Sequence, residues 1–598
     1  MRRSGAWMQL CLKLGARAMR LARPSFIARF GYFFRCLRIL QIGAIGKALD
    51  AIYQAFFWPR SACDLDQSAL GRRSMFNSTE RGPYSSPRCL WRRALSKLQV
   101  SWGLKESRMK PYKMLIDGEW VEAGDGGTFT SINPATGEKW AVIPEATAED
   151  VDCAVRAAHR AFLMGPWGKM SATQRGHCLR RLADLLAAQS EALGEIETRD
   201  TGKLFAETRW QAKYISEFYH FFAGAADKIH GETLPIDKPD MFVFTNREPL
   251  GVIAAVVPWN SQLFLAAVKI GPALAAGNTI VMKASEHAPA ALLEFGKLIA
   301  QAGIPDGVVN IVTGHGDPCG KVLTSHPMVA RVSFTGGPGS ARHVIQNTTE
   351  NFAELSLELG GKSPFIVFED ADIGSAVNGS VAGIFGASGQ SCVAGSRLLV
   401  HEDIADEFLK RMVKIAQAVT IGDPMAGETE MGPLCTYGQI ENIEREVARA
   451  VEEGAQILSG GKRANAGSDL YYEPTIIDCP APNLHIVDKE LFGPVLSVLR
   501  FKTESEALAL ANDTVHGLAA GIFTKDSARA LRMSKSVRAG IVWVNTYRAV
   551  SPIAEFGGMK NSGYGRESGF QAVYDYTRPK TVWMNMSSEP LGSQFVSR

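Results

Sequence analysis

One cysteine lies in unusually open surroundings. In Phe385-Gly-Ala-Ser-Gly389-Gln390-Ser391-Cys392-Val393-Ala394, small residues and glycines leave space around a single thiol. A thiolate is a competent nucleophile, and glycine lets a ligand approach the backbone closely. Cys392 is therefore a candidate nucleophile, although a lone cysteine is more often a buried structural residue. Cys153, Cys178, Cys319, Cys435 and Cys479 lack such surroundings and read as structural. A second segment, Glu354-Leu-Ser-Leu-Glu358-Leu359-Gly360-Gly361-Lys362, sets a carboxylate at a predicted strand end beside two glycines. Glu358 suits a general base; the plain alternative is a solvated loop acid.

These groups need elements to position them. Gly251-Val-Ile-Ala-Ala-Val-Val257 is a β-branched apolar run and predicts a buried strand. Leu263 to Ala276 has helical spacing and stops at Gly277. Asn278 to Met282, Val308 to Val312 and Val329 to Phe334 predict further strands, with helices between them. Ser285 is expected to cap the helix that carries Pro289 in its first turn and Gly303 after its end. Such alternation predicts an α/β, Rossmann-like architecture with a parallel sheet covered on both faces. Ligands in such sheets sit beyond the carboxyl ends of strands. Pro258-Trp259-Asn260, Lys283 to Glu286 and Thr335-Gly336-Gly337 fall there.

Composition sets the limits. The chain has 598 residues, 46% hydrophobic and 21% charged, with 10 Cys, 28 Pro and 58 Gly. Those values exclude wholesale disorder, collagen-like repeats and a disulfide-dense mini-protein. No apolar run approaches the roughly 18 residues of a membrane span. The cysteines form no C-x-x-C pair, so neither a metal site nor a disulfide framework is expected, which suits a reducing, cytoplasmic setting. Charge divides the chain. Residues 1–108 hold 20 Lys/Arg against 5 Asp/Glu, and the remainder holds 45 against 56. The basic part reads as a disordered leader or as a start codon placed too early, before Met109. A targeting leader, a membrane-surface contact or an interaction tail is the alternative. Nucleic-acid binding is not expected, because no recognised module accompanies the charge.

From about Tyr112 to about Val582 the sequence resembles the NAD(P)-dependent aldehyde dehydrogenase superfamily. The motifs that carry the resemblance occur in order. They are Pro258-Trp259-Asn260, Lys283-x-x-Glu286, Glu358-Leu359-Gly360-Gly361-Lys362, Gly389-Gln390-x-Cys392, Glu490-x-Phe492-Gly493-Pro494 and the run from Gly557 to Arg566. The resemblance implies that Cys392 attacks the aldehyde carbon and that Asn260 and the Cys392 N–H stabilise the oxyanion. It implies that Glu358 activates water against the thioester, and that Lys269 and Glu567 relay protons. For the cofactor it implies contacts from Trp259, Lys283, Glu286, Gly336, Gly337, Leu359, Glu490 and Phe492. Glu286 could accept both ribose hydroxyls and repel a 2′-phosphate, so NAD is expected over NADP. Two positions depart from the pattern. Gly337 stands where a serine for the pyrophosphate is usual, with Ser340 a possible substitute, and Glu555 stands where a proline is usual before Phe556.

The resemblance also implies a layout. Residues 111–230 and 250–360 would form the cofactor domain and 361–560 the catalytic domain. Residues 231–249 and 568–587 would pair as a small β arm joining a homodimer or homotetramer. The tunnel to Cys392 would be lined by Ser261, Leu265, Val268, Ser391, Val393, Val550 and Phe556, with Trp543 either near it or in the core. It is expected to be wide and apolar, with no Arg or Lys to clamp a carboxylate. That favours medium or bulky apolar aldehydes, aromatic or terpenoid-like, over semialdehyde acids. The alternatives are a CoA-acylating enzyme, against which Glu358 argues, and a non-catalytic NAD-binding protein on the same fold.

Overall fold

A computed structural model describes residues 109–590. The readings of the basic leader, its disorder and its start codon concern residues 1–108 and lie outside the described residues.

Two large sheets organise the chain. The first has eight strands in the order Gly563–Tyr564, Glu354–Glu358, Val329–Thr335, Val252–Val256, Thr279–Lys283, Val309–Val312, Met114–Ile116 and Glu119–Val121. The middle of this sheet, from Glu354–Glu358 to Val309–Val312, is parallel throughout. The second has seven strands, and all its pairings are parallel except the edge strand Gln456–Ser459. Parallel strands buried on both faces read as continuous apolar runs. Val252–Val256 and Thr279–Lys283 do so, with nine of their ten residues buried.

Helix Gln262–Ala276 packs against the first sheet with almost every residue buried, Lys269 among them. Helix Ala290–Gln301 starts later than the sequence suggests. Ser285 does not cap it; its hydroxyl accepts the His287 N–H instead, and Pro289 occupies the cap position. The first-turn donor of Ala290 is met from elsewhere, by the buried carboxylate of Asp200 at 2.7 Å. An unsatisfied helix end needs any acceptor of suitable geometry, and a distant acid serves as well as a local serine.

A two-stranded ribbon projects from this core. Met241–Pro249 pairs antiparallel with Thr577–Asn585 over their full length. No helix among the described residues is long and apolar enough to cross a membrane.

Asn278 ties these parts together while fully buried. It accepts the Gly251 N–H at 2.9 Å and donates to the Ala273 and Tyr576 carbonyls at 3.2 and 2.9 Å. Stranding such groups without water costs about 1–3 kcal/mol each. Asn278→Ala is expected to destabilise the fold by roughly 2–4 kcal/mol, read as a lower urea midpoint; a midpoint equal to wild type would refute this.

Candidate active site

Strand register brings the carboxyl ends into one row. Lys283 pairs with Val256, Val256 with Phe334, and Thr335 with Glu358. The segments that follow these strands therefore emerge side by side. They meet the loop of Cys392 around a cavity of about 760 Å³. Its wall includes Trp259, Asn260, Gly336, Gly337, Glu358, Leu359, Cys392, Glu490 and Phe492. Lys269, Glu567, Lys283 and Glu286 do not line it. The first two are buried, and the second two stand farther along the same sheet edge.

The cysteine loop is held in a costly conformation. Ala387, Ser388 and Gly389 are all left-handed, with φ of 54°, 54° and 72°. Two of them carry side chains, so the turn must be enforced by its surroundings. Several bonds do this. Glu207 accepts the Ala387 N–H, Ser388 donates to the Gly432 carbonyl, and Gln390 accepts the Cys435 N–H. Tyr547 donates to the Val393 carbonyl at 3.0 Å. At Gly389 a Cβ would collide with the carbonyl of Gly493, so only glycine fits. The Asn260 amide reaches across and donates to the Gln390 carbonyl at 3.1 Å, leaving its second N–H for the cavity.

Charge in this region is unusual. Glu358 is buried with neither carboxylate oxygen hydrogen-bonded. Desolvation, then the negative charge of Glu567, pushes its pKa well above the ordinary glutamate value; Lys269 and Arg566 only partly offset this. The buried Lys269 ammonium pairs with Glu567 and donates to Ser333 at 3.0 Å. Half-buried Cys392 has its thiol pushed up to about 12, first by desolvation and then by Glu490, Glu358 and Glu567. Desolvation likewise pushes Glu490 up to about 7, while the Gly361 N–H holds its carboxylate at 2.9 Å.

The cofactor residues fit a dinucleotide. Lys283 lies 3.2 Å from one oxygen of Glu286, and the other oxygen is left to accept a ribose hydroxyl. Burial, the largest single influence, raises the Glu286 pKa, but the Lys283 charge, its own backbone N–H and His287 together outweigh it and keep the carboxylate below its usual range. Helix Pro338–Asn347 begins at Gly337, and a Cβ there or at Gly339 would meet nothing within 4 Å. That open helix N-terminus suits a pyrophosphate through backbone N–H groups. Ser340 is exposed and makes no hydrogen bond. The Thr335 hydroxyl, on the rim that the strand pattern predicts, is buried on the cavity wall without a partner. Trp259 and Phe492 meet edge to face at 5.5 Å. Gln439, which the motifs missed, donates to the Phe492 carbonyl at 3.0 Å.

The substrate side departs from the expected tunnel at two points. Val268 is buried away from the cavity, whereas Ser261, Leu265, Ser391, Val393, Val550 and Phe556 line it. Trp543 packs among Val393, Leu518 and Tyr547 and donates to the Ala549 carbonyl, so it belongs to the core. A cation is present: Arg548 lines the cavity, with Trp210, Tyr214 and Phe264. Arg548 follows an irregular loop, and Trp210 and Tyr214 come from a helix far away in sequence. Neither position gave a local signal beyond the i,i+4 aromatic spacing of the helical pair.

Comparison with known proteins gives a consistent result. The family profile described as "Aldehyde dehydrogenase family" matches residues 120–582. The chain is 54% identical over 491 residues to the (Z)-2-((N-methylformamido)methylene)-5-hydroxybutyrolactone dehydrogenase of Acinetobacter baylyi, covering 82% of this chain and all of that one. The solved structure of PnpE in complex with nicotinamide adenine dinucleotide is similar with a TM-score of 0.79 and 41% identity, over 81% of this chain and 99% of that one. The NAD+ complex of an aldehyde dehydrogenase from Bacillus cereus is similar with a TM-score of 0.78 and 40% identity, over 80% and 97% of the two chains.

The Glu286 carboxylate gives a test of cofactor choice. Glu286→Gln removes the charge facing a 2′-phosphate. The NADP-to-NAD ratio of kcat/KM is expected to rise by on the order of tenfold. An unchanged ratio would show that Glu286 does not discriminate.

Proposed function

The chain belongs to the aldehyde dehydrogenase family, and from that membership we infer how its own residues oxidise an aldehyde to the acid. It is an oxidoreductase that uses NAD. The observation that carries the reading is the convergence of Cys392, Asn260 and an unpaired, buried Glu358 on one cavity wall.

The Cys392 thiol gives its proton to the Glu358 carboxylate, and the thiolate attacks the aldehyde carbon to form a thiohemiacetal. The free N–H of Asn260 and the Cys392 backbone N–H take the oxyanion. Each donor of this kind contributes roughly 3–4 kcal/mol. Lys283 and Glu286 hold the adenosine ribose, the helix start at Gly337 the pyrophosphate, and Glu490 and Phe492 the nicotinamide end, with Trp259 and Leu359 along the channel. Bound NAD supplies the hydride acceptor that turns the thiohemiacetal into a thioester. Glu358 then takes a proton from water, the hydroxide attacks the thioester, and the acid leaves as the thiolate is restored. The raised pKa of Glu358 suits this task, since a more basic carboxylate is a stronger proton acceptor. Lys269 and Glu567 pass the proton onward from behind it.

The walls support a medium or bulky substrate body packed on apolar side chains, Phe264, Leu265 and Phe556 among them. The Acinetobacter baylyi relative is named for a substituted 5-hydroxybutyrolactone, which supports a bulky, functionalised substrate here. The β ribbon serves as the assembly arm of a homodimer or homotetramer; its exposed Trp583, Met584 and Phe242 support that role.

NADH absorbance with NAD and an aldehyde panel tests the reading. Cys392→Ala is expected to abolish NADH formation on every member. Glu358→Gln is expected to release about one NADH per site in a burst and then stall at the thioester. Acyl-CoA formed on adding CoA, or no burst, would refute hydrolysis by Glu358. The single-turnover hydrolysis rate is expected to rise with pH, because only ionised Glu358 accepts the proton and its pKa is raised. Its midpoint is expected well above the ordinary glutamate range; a rate flat down to pH 5 would refute the role.

A further inference from the structure

We infer that the aldehyde substrate also carries a carboxylate, bound by Arg548 in a side chamber of the active cavity; this rests on the aldehyde-oxidising reading above. The chamber is about 380 Å³ and is lined by Lys203, Glu207, Trp210, Asn260, Ser391 and Arg548 among others. Asn260 and Ser391 also line the main cavity, so the chamber opens one residue away from Cys392. An anion held there lies a short distance from the reacting carbon.

Two buried or half-buried cations face this space. Arg548 donates one N–H to the Ala382 carbonyl at 3.1 Å and, among the described residues, forms no ion pair. Its remaining N–H donors form a fork that matches a carboxylate. Its backbone is left-handed, with φ of 61°, and its neighbour Tyr547 is bonded to the cysteine loop. The Arg548 backbone is thus held close to the cysteine loop. Lys203 is 5% exposed and bonds two neutral groups, Gln211 at 2.9 Å and Ser261 at 3.0 Å. Its charge is met by Glu197, which pairs with it at 3.9 Å in the interior. The acid within the chamber, Glu207, is tied to the Ala387 N–H. Lys203 is thus balanced by Glu197, and Arg548 is the chamber cation that forms no ion pair among the described residues; its free N–H donors suit an anionic ligand. Beside them, the exposed ring of Trp210 stacks on Tyr214 at 5.0 Å and 11°. It offers a flat apolar face to a planar body.

The test compares matched aldehydes with the full chain and NAD. Each of 2-, 3- and 4-carboxybenzaldehyde is paired with the methylbenzaldehyde of the same substitution. At least one acid is expected to exceed its methyl partner in kcat/KM by roughly tenfold or more. Arg548→Leu is expected to remove that ratio, chiefly through the KM of the acid, and Arg548→Lys to restore part of it. Equal or better oxidation of every methyl compound by the wild type, or a ratio unchanged in Arg548→Leu, overturns the inference. Methylbenzaldehydes report aldehyde oxidation without a carboxylate. NADH from them with no acid preference overturns this inference alone, and no NADH from any member overturns the reading beneath it as well.

Discussion

A carboxylate buried without a hydrogen bond is expensive, and the active region is built around keeping Glu358 in that condition. It sits at the last residue of a parallel strand, where the sheet delivers it to the cavity. Gly557 lies so close that a Cβ there would stand 2.9 Å from its oxygen. The Lys269 and Glu567 pair lies near enough to act on it from the buried side. Desolvation raises the Cys392 thiol as well, with Glu490 and then Glu358 adding to the shift.

The second requirement is that two sheets meet with fixed geometry. The cofactor-side residues come from the first sheet, and Cys392 precedes a strand of the second. The Asn260 amide bridges them through the Gln390 carbonyl. The loop around Cys392 is pinned by Glu207, Ser388, Gln390 and Tyr547. Strain of this kind persists only where packing enforces it. Here the enforcing contacts come from residues scattered from Glu207 to Tyr547.

Much of this was legible beforehand. The alternation of apolar strands and helices identified the parallel sheet, and the carboxyl-end rule placed Asn260, Lys283, Glu286 and Gly336 on one rim. The motif order identified Cys392. Local capping logic failed at Ser285, because a remote Asp200 answered the helix end. The tunnel was misjudged at Val268, which packing turned inward, and above all at Arg548. Its charge was visible in the sequence, but its direction was not.

The sequence by itself determined the chemical groups, the strand order's functional edge and the family, because these depend on residue type and on spacing within a few positions. Tertiary structure alone decided which side chains share a cavity. Lys203, Trp210, Ser261, Ser391 and Arg548 belong to separate elements, and only the packing of both sheets brings them around one space. Burial also set the ionisation of Glu358, Glu490 and Cys392, since desolvation is a property of the assembled wall rather than of any segment.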